Sequence, residues 1–136
     1  MSDCLFCKIA AGELKSATVF ENSDFRVIMD RFPSSQGHTL ILTKEHFDDL
    51  YQMDGETAGK LFSLASVVAK ALKQATKCDG MNILQNNGEA AGQTVKHFHL
   101  HLIPRYYEDD FTLPWKTKEV TEEELEELAA TIRKLI

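Results

Sequence analysis

Apolar and polar positions follow two rhythms along this chain, and the change from one to the other marks its elements. Residues 18–21 and 25–29 are short β-branched and aromatic runs joined at Asn22-Ser23-Asp24, a turn composition, and predict two strands. After a Pro- and Ser-bearing loop at 31–37, His38-Thr39-Leu40-Ile41-Leu42-Thr43 predicts a buried strand. Residues 44–50 read as a turn or short helix. From Asp54, a plausible N-cap, to about Ala75 the period lengthens. Ala58, Leu61, Phe62, Ala65, Val68, Ala69 and Leu72 recur at three and four and predict one long helix with a single apolar stripe, weakened by Gly59. Cys78-Asp79-Gly80 closes it, and 81–85 predicts the next strand. In 97–104 a strict alternation returns, with His97, His99 and His101 on one face and Phe98, Leu100 and Leu102 on the other. Residues 105–118 are irregular and rich in aromatic and acidic side chains. Thr121-Glu122-Glu123-Glu124 is a capping box, and the helix it opens places Leu125, Leu128, Ile132 and Leu135 on one face. The pattern predicts an α+β domain: an antiparallel sheet of about five strands, one long helix against it, and a C-terminal helix.

Composition narrows the function classes. At 136 residues the chain makes one domain, 1–136, with 106–136 as a C-terminal extension. A net charge of −6 without a basic stripe argues against a nucleic-acid polymer as partner, but not against a small nucleotide. No apolar run reaches the roughly 18 residues of a membrane span, and no secretory signal is visible, so the chain is expected in the cytoplasm and not at a membrane. The three cysteines are then expected as reduced thiols. Cys4 and Cys7 form a Cys-x-x-Cys pair, half of a zinc site; Cys78 and the five histidines are the candidates for the rest.

Three imidazoles on one strand face suit few purposes. They can hold a metal. They can also bind and attack phosphate, since imidazole near neutral pH is a nucleophile, a proton donor or a hydrogen-bond donor to an oxyanion. The preceding loop, 86–94, is small, polar and glycine-containing. Its N–H groups with Gln93 and Thr94 would set donors beside the histidines, as an anion such as phosphate requires.

The stretch Gly92-Gln93-Thr94-Val95-Lys96-His97-Phe98-His99-Leu100-His101-Leu102-Ile103-Pro104-Arg105 resembles the signature of the histidine-triad nucleotide hydrolases and transferases. The resemblance implies their fold, and His99 as a nucleophile that attacks the α-phosphorus to form a nucleotidyl-histidine. His101 would contact phosphate and aid the leaving group, beside His97. Gln93 and Thr94 would hold phosphate oxygens, Asn86 would lie near phosphate and ribose, and Asp30 would bind the ribose hydroxyls. Phe6, Ile9 and Ile28 would line the base pocket, and His38 would stand behind the catalytic histidine. Cys4, Cys7, His46 and His97 match a structural zinc site found in the bacterial-type branch. A catalytic metal on all three triad histidines is disfavoured, because it would quench the nucleophile and leave the thiols unexplained. The implied substrate is a purine nucleotide: a dinucleoside polyphosphate, a phosphoramidate or an acyl-adenylate. The implied assembly is a homodimer, in which the aromatic segment 106–115 reaches the partner's site. A nucleotide-binding regulatory module with weak turnover, acting through a protein partner, is the alternative.

Overall fold

The structure, a computed structural model, describes residues 3–113 and 115–136. A short helix α1 (Leu5–Ala10) precedes strands β1 (Thr18–Glu21), β2 (Phe25–Met29) and β3 (Thr39–Thr43). The long helix α2 (Gly55–Thr76) leads to β4 (Gly80–Leu84) and β5 (His99–Arg105), and α3 (Glu122–Leu135) ends the chain. The five strands form one antiparallel sheet in the order β1-β2-β3-β5-β4. The architecture is α+β, as the pattern predicts.

Alternation gives the sheet two faces with different jobs. Ile41 pairs with Leu100 and Thr39 with Leu102. Ile41, Leu100 and Leu102, with Phe25, Val27, Phe47 and Phe98, meet Leu61, Ala65 and Val68 of α2 in the main core. Burying one such side chain stabilises the fold by about 1.5–3 kcal/mol. On the opposite face Leu42 pairs with His99 and Leu40 with His101. There Phe6 and Ala10 of α1 pack on Ile28, Leu40 and Leu42, with Ile9 and Val95 at the margin. One face of β5 therefore belongs to the core, and the other carries histidines.

The long helix starts where its cap dictates. Asp54 accepts from the Thr57 backbone N–H at 3.0 Å and from the Thr57 hydroxyl at 2.8 Å. It ends at Lys77, left-handed at φ 55°. Gly37 (φ +92°) is held to glycine twice over: a Cβ there would also lie 2.8 Å from Thr76 and 3.1 Å from Pro104. Pro104 sits in β5 without breaking a ladder. Its carbonyl turns away from β4 and accepts from Ser35 Oγ at 2.6 Å, and β3 has already ended on that side.

Several expectations need correction. The strand of the histidines starts at His99, not His97, and runs through Pro104 to Arg105; His97 lies on a bend before it. Phe62 is 59% exposed, so the buried stripe of α2 is narrower than its apolar positions suggest. Leu125, Leu128, Ile132 and Leu135 do lie on one helix, but all four face solvent. The strand at 81–85 runs one residue earlier, Gly80–Leu84, and that at 38–43 starts at Thr39.

Candidate functional site

The three histidines are distinguished by what holds their other nitrogen. His99 Nδ1 donates to the backbone carbonyl of His97 at 2.7 Å. That fixes the tautomer and leaves Nε2 with a lone pair. Nε2 has no hydrogen-bond partner among the described residues, and no unpartnered side-chain nitrogen or oxygen is sealed from solvent, so it reaches the surface. Phe6 meets the ring edge-on, centroids 4.8 Å apart, and keeps it from turning.

His101 is set the opposite way round. His38 Nδ1 accepts from the Ser34 backbone N–H at 3.0 Å, so the His38 proton sits on Nε2. That proton is donated to His101 Nδ1 at 2.9 Å, with Asp30 Oδ2 3.4 Å away. His101 then carries its own proton on Nε2. Side by side on one strand face, rings 5.0 Å apart, stand a nitrogen with a lone pair and a nitrogen with a proton.

Electrostatics keep these rings neutral. Burial lowers the pKa of His99, against the hydrogen bond to His97 and the charge of Asp30, which favour protonation. Burial, then repulsion by His99 and His38, pushes His101 down to about 4. Burial likewise lowers His38. A neutral imidazole is what a nucleophile at pH 7 must be.

His97 belongs to a different group. Its Nε2 donates to the Thr43 carbonyl at 2.8 Å, so Nδ1 carries a lone pair. His46 is held likewise: its Nε2 lies 2.8 Å from Asp48 Oδ1. The two Nδ1 atoms lie 3.2 Å apart with no proton between them. Cys4 Sγ is 3.4 Å from His97 Nδ1; Cys7 Sγ is 3.4 Å from that nitrogen and 3.3 Å from His46 Nδ1. Zinc bonds of about 2.0–2.1 Å to nitrogen and about 2.3 Å to sulfur give tetrahedral edges of roughly 3.3–3.8 Å. Two converging lone pairs with two thiols at that spacing fit one Zn²⁺. Burial and the Cys4 thiol push Cys7 up to about 11, a charge cost that a divalent cation reverses. Asp30, His38 and His101 also cluster, within 4.8 Å. The proton on His38 Nε2 points into that cluster, so it is a hydrogen-bond chain rather than a metal site.

The remaining candidates divide. Phe6, Ile9 and Ile28 come together on the histidine side of the sheet, Phe6 and Ile28 buried and Ile9 half-buried. Asp30, at the end of β2, accepts from the Phe32 N–H at 2.9 Å and is half-buried. Thr94 is exposed and Asn86 half-buried beside Gly92. Gln93 is different: its amide nitrogen donates to the Asp48 carbonyl at 2.6 Å, and its oxygen accepts from the Gly88 N–H at 2.8 Å. Its side chain braces the loop and keeps one N–H free. Sequence reasoning missed the residues that orient the rings: Ser34, Thr43 and Asp48. Only Asp48, two positions from His46, left a local signal.

The fold and sequence are similar to those of known proteins. A sequence model described as "HIT domain" matches residues 11–108. A crystal structure of a Streptococcus mutans protein superposes with a TM-score of 0.94 at 43% identity, covering 98% of this chain and 85% of that one. The adenosine 5'-monophosphoramidase hnt1 of Schizosaccharomyces pombe is 32% identical over 130 residues, 95% of each chain. A zinc-bound histidine triad family protein of Mycobacterium smegmatis superposes with a TM-score of 0.76 at 34% identity, over 98% of this chain and 96% of that one.

Proposed function

The chain belongs to the HIT family, and from that membership we propose that it is a nucleotide hydrolase or nucleotidyl transferase working through a covalent intermediate on His99. The observation that carries this reading is the pair of opposite tautomers: the lone pair on His99 Nε2 and the proton on His101 Nε2. The nucleoside phosphate presents its α-phosphorus to His99. The P–N bond forms as the bond to the leaving group breaks, and the electron pair departs with that group. His101 passes its Nε2 proton to the departing oxygen or nitrogen. Water then breaks the P–N bond: its oxygen stays on the nucleoside monophosphate, the electron pair of that bond returns to His99 Nε2, and the proton that water loses restores His101. Covalent capture divides one hard displacement into two easier ones.

Phosphate oxygens meet Thr94 and the free N–H of Gln93, with Asn86 beside them. Asp30 clamps the ribose hydroxyls, and Phe6, Ile9 and Ile28 bound the base, a purine. Phosphoramidates and dinucleoside polyphosphates are the proposed substrate classes; the first is supported by the name of the fission-yeast relative. Cys4, Cys7, His46 and His97 would hold a structural Zn²⁺, which supplies a rigid link between α1 and the segment entering β5 and takes no part in the displacement. The zinc-bound relative supports that reading.

We also propose a homodimer, because α3 and the outer side of α2 expose apolar side chains that a single chain leaves uncovered. Residues 106–136 extend the domain, and the exposed Tyr107 and Trp115 are proposed to reach the partner's site. No described helix is long and apolar enough to cross a membrane, and we place the protein in the cytoplasm.

The test is a turnover panel of adenosine phosphoramidate and diadenosine polyphosphates with wild type and His99→Ala. The expected loss in the variant is on the order of 10³-fold or more. Wild-type rates in His99→Ala would remove the proposal.

A further inference from the structure

Asp48 uses every polar group it has, and it uses them in two directions. Its Oδ1 takes the His46 Nε2 proton at 2.8 Å, which aims His46 Nδ1 at the two thiols. Its carbonyl takes the Gln93 amide proton at 2.6 Å. Gln52 straps the residue in place from behind: Oε1 accepts from the Asp48 N–H at 2.8 Å, and Nε2 donates to Asp48 Oδ2 at 3.2 Å. The same segment reaches the loop a second time, where the Leu50 N–H donates to Asn87 Oδ1 at 2.8 Å. On the far side of Gln93 its oxygen holds the Gly88 N–H. Gly88 and Gly92 both have φ near +90°, so the loop is a closed ring with Gln93 as its tie. Phe47, in the core, anchors the segment between these two ends.

The metal quartet and the loop beside the histidines are therefore joined by one short chain of atoms: His46, Asp48, Gln93, Gly88. We propose that Asp48 is a positioning residue that couples the two, so that metal and nucleotide bind cooperatively. This rests on the catalytic reading above, which places phosphate at that loop. A second link from the quartet runs through His97, whose carbonyl holds His99. The two links end on different functions. Disturbing the His97 link acts on the nucleophile and lowers kcat. Disturbing the Asp48 link acts on the phosphate-side loop and raises KM.

Reciprocity makes the coupling measurable from both ends. AMP is titrated into the full-length zinc-loaded protein and into chelator-stripped protein whose fold is checked by circular dichroism. The stripped form is expected to bind AMP about tenfold more weakly, and AMP is expected to raise zinc affinity by the same factor. Equal AMP affinity in both folded forms overturns the proposal. In zinc-loaded enzyme with one zinc per chain, Asp48→Ala is expected to raise KM about fivefold with kcat within about twofold, and Asp48→Asn, which keeps an acceptor for His46, to restore most of it. Gln52→Leu touches neither metal ligand nor loop and carries the test where Asp48→Ala does not fold; the expected rise in KM is about two- to threefold. A variant that loses thermal stability but keeps wild-type KM shows a merely structural strap and overturns the coupling. Wild type that turns over while Gln52→Leu keeps its KM rejects the coupling alone. Wild type without turnover or AMP binding rejects the catalytic reading and the coupling with it.

Discussion

At the scale of single residues, the site depends on which nitrogen of each ring carries a proton. Partners near and far in sequence decide that: Ser34 for His38 and Asp48 for His46 lie close along the chain, and Thr43 for His97 lies 54 residues away. The alternation of His97, His99 and His101 with apolar residues was legible, as was the half-site at Cys4 and Cys7. The tautomers were not, because each is written by a hydrogen bond formed only on folding. Burial of neutral histidines has a pH consequence with a definite sign. His38 and His101 are depressed below the ordinary value of 6.5 in the fold, His101 to about 4, whereas the unfolded chain titrates normally. Below pH 6.5 the unfolded state binds more protons, so stability is full above that pH and is lost as pH falls toward 4. Thermal melts of the zinc-loaded protein between pH 7.5 and pH 4.5 should show Tm falling through this window; a flat profile would contradict the neutral assignment. A complementary substitution, His38→Asn, is expected to lower kcat about 10- to 100-fold with little change in KM, since it disturbs the proton on His101 rather than binding. Steady-state kinetics on adenosine phosphoramidate check it.

At the scale of elements, the sequence was informative where an element is long or strictly periodic. The cap at Asp54 and the turn at Asn22-Ser23-Asp24 appear as read, and Thr121 caps α3 by accepting from the Glu124 N–H, the first half of the expected box. Helix α1 was illegible for a physical reason. At 6 residues it is too short for a period to show, and it is held by the Cys4 cap and by Phe6 and Ala10 against the sheet. The late start of β5 has a related cause. His97 alternates correctly with His99, but its imidazole is drawn to Thr43, Cys4 and Cys7, and the backbone bends there instead of pairing. Removing metal should therefore be felt first by α1. Cys4→Ser/Cys7→Ser protein is expected to retain no zinc by metal analysis and to be cut faster near its N-terminus by limited proteolysis. Full zinc retention would exclude the quartet as the metal site. On the core face, Leu100→Ala is expected to cost about 2–5 kcal/mol, read by urea unfolding, because Leu100 is 1% exposed under α2.

At the scale of the whole molecule, periodicity told which residues share a helix face but not what that face meets. Leu125, Leu128, Ile132 and Leu135 share one helix, as the pattern predicts, and they are 49–82% exposed. Phe62 and Val67 on α2 are exposed too. A 14-residue amphipathic helix is marginal alone in water and holds its place by packing. The proposed homodimer supplies that packing: Leu128→Asp with Ile132→Asp is expected to shift sedimentation from dimer to monomer. Unchanged mass in that variant would place the contact elsewhere. The most direct test of the whole account is intact-protein and peptide mass spectrometry of an acid-quenched reaction with adenosine phosphoramidate. The account predicts one adenylyl group per active chain, mapped to His99 and absent from His99→Ala; an enzyme that turns over with no adduct, or with the adduct on another residue, would contradict it.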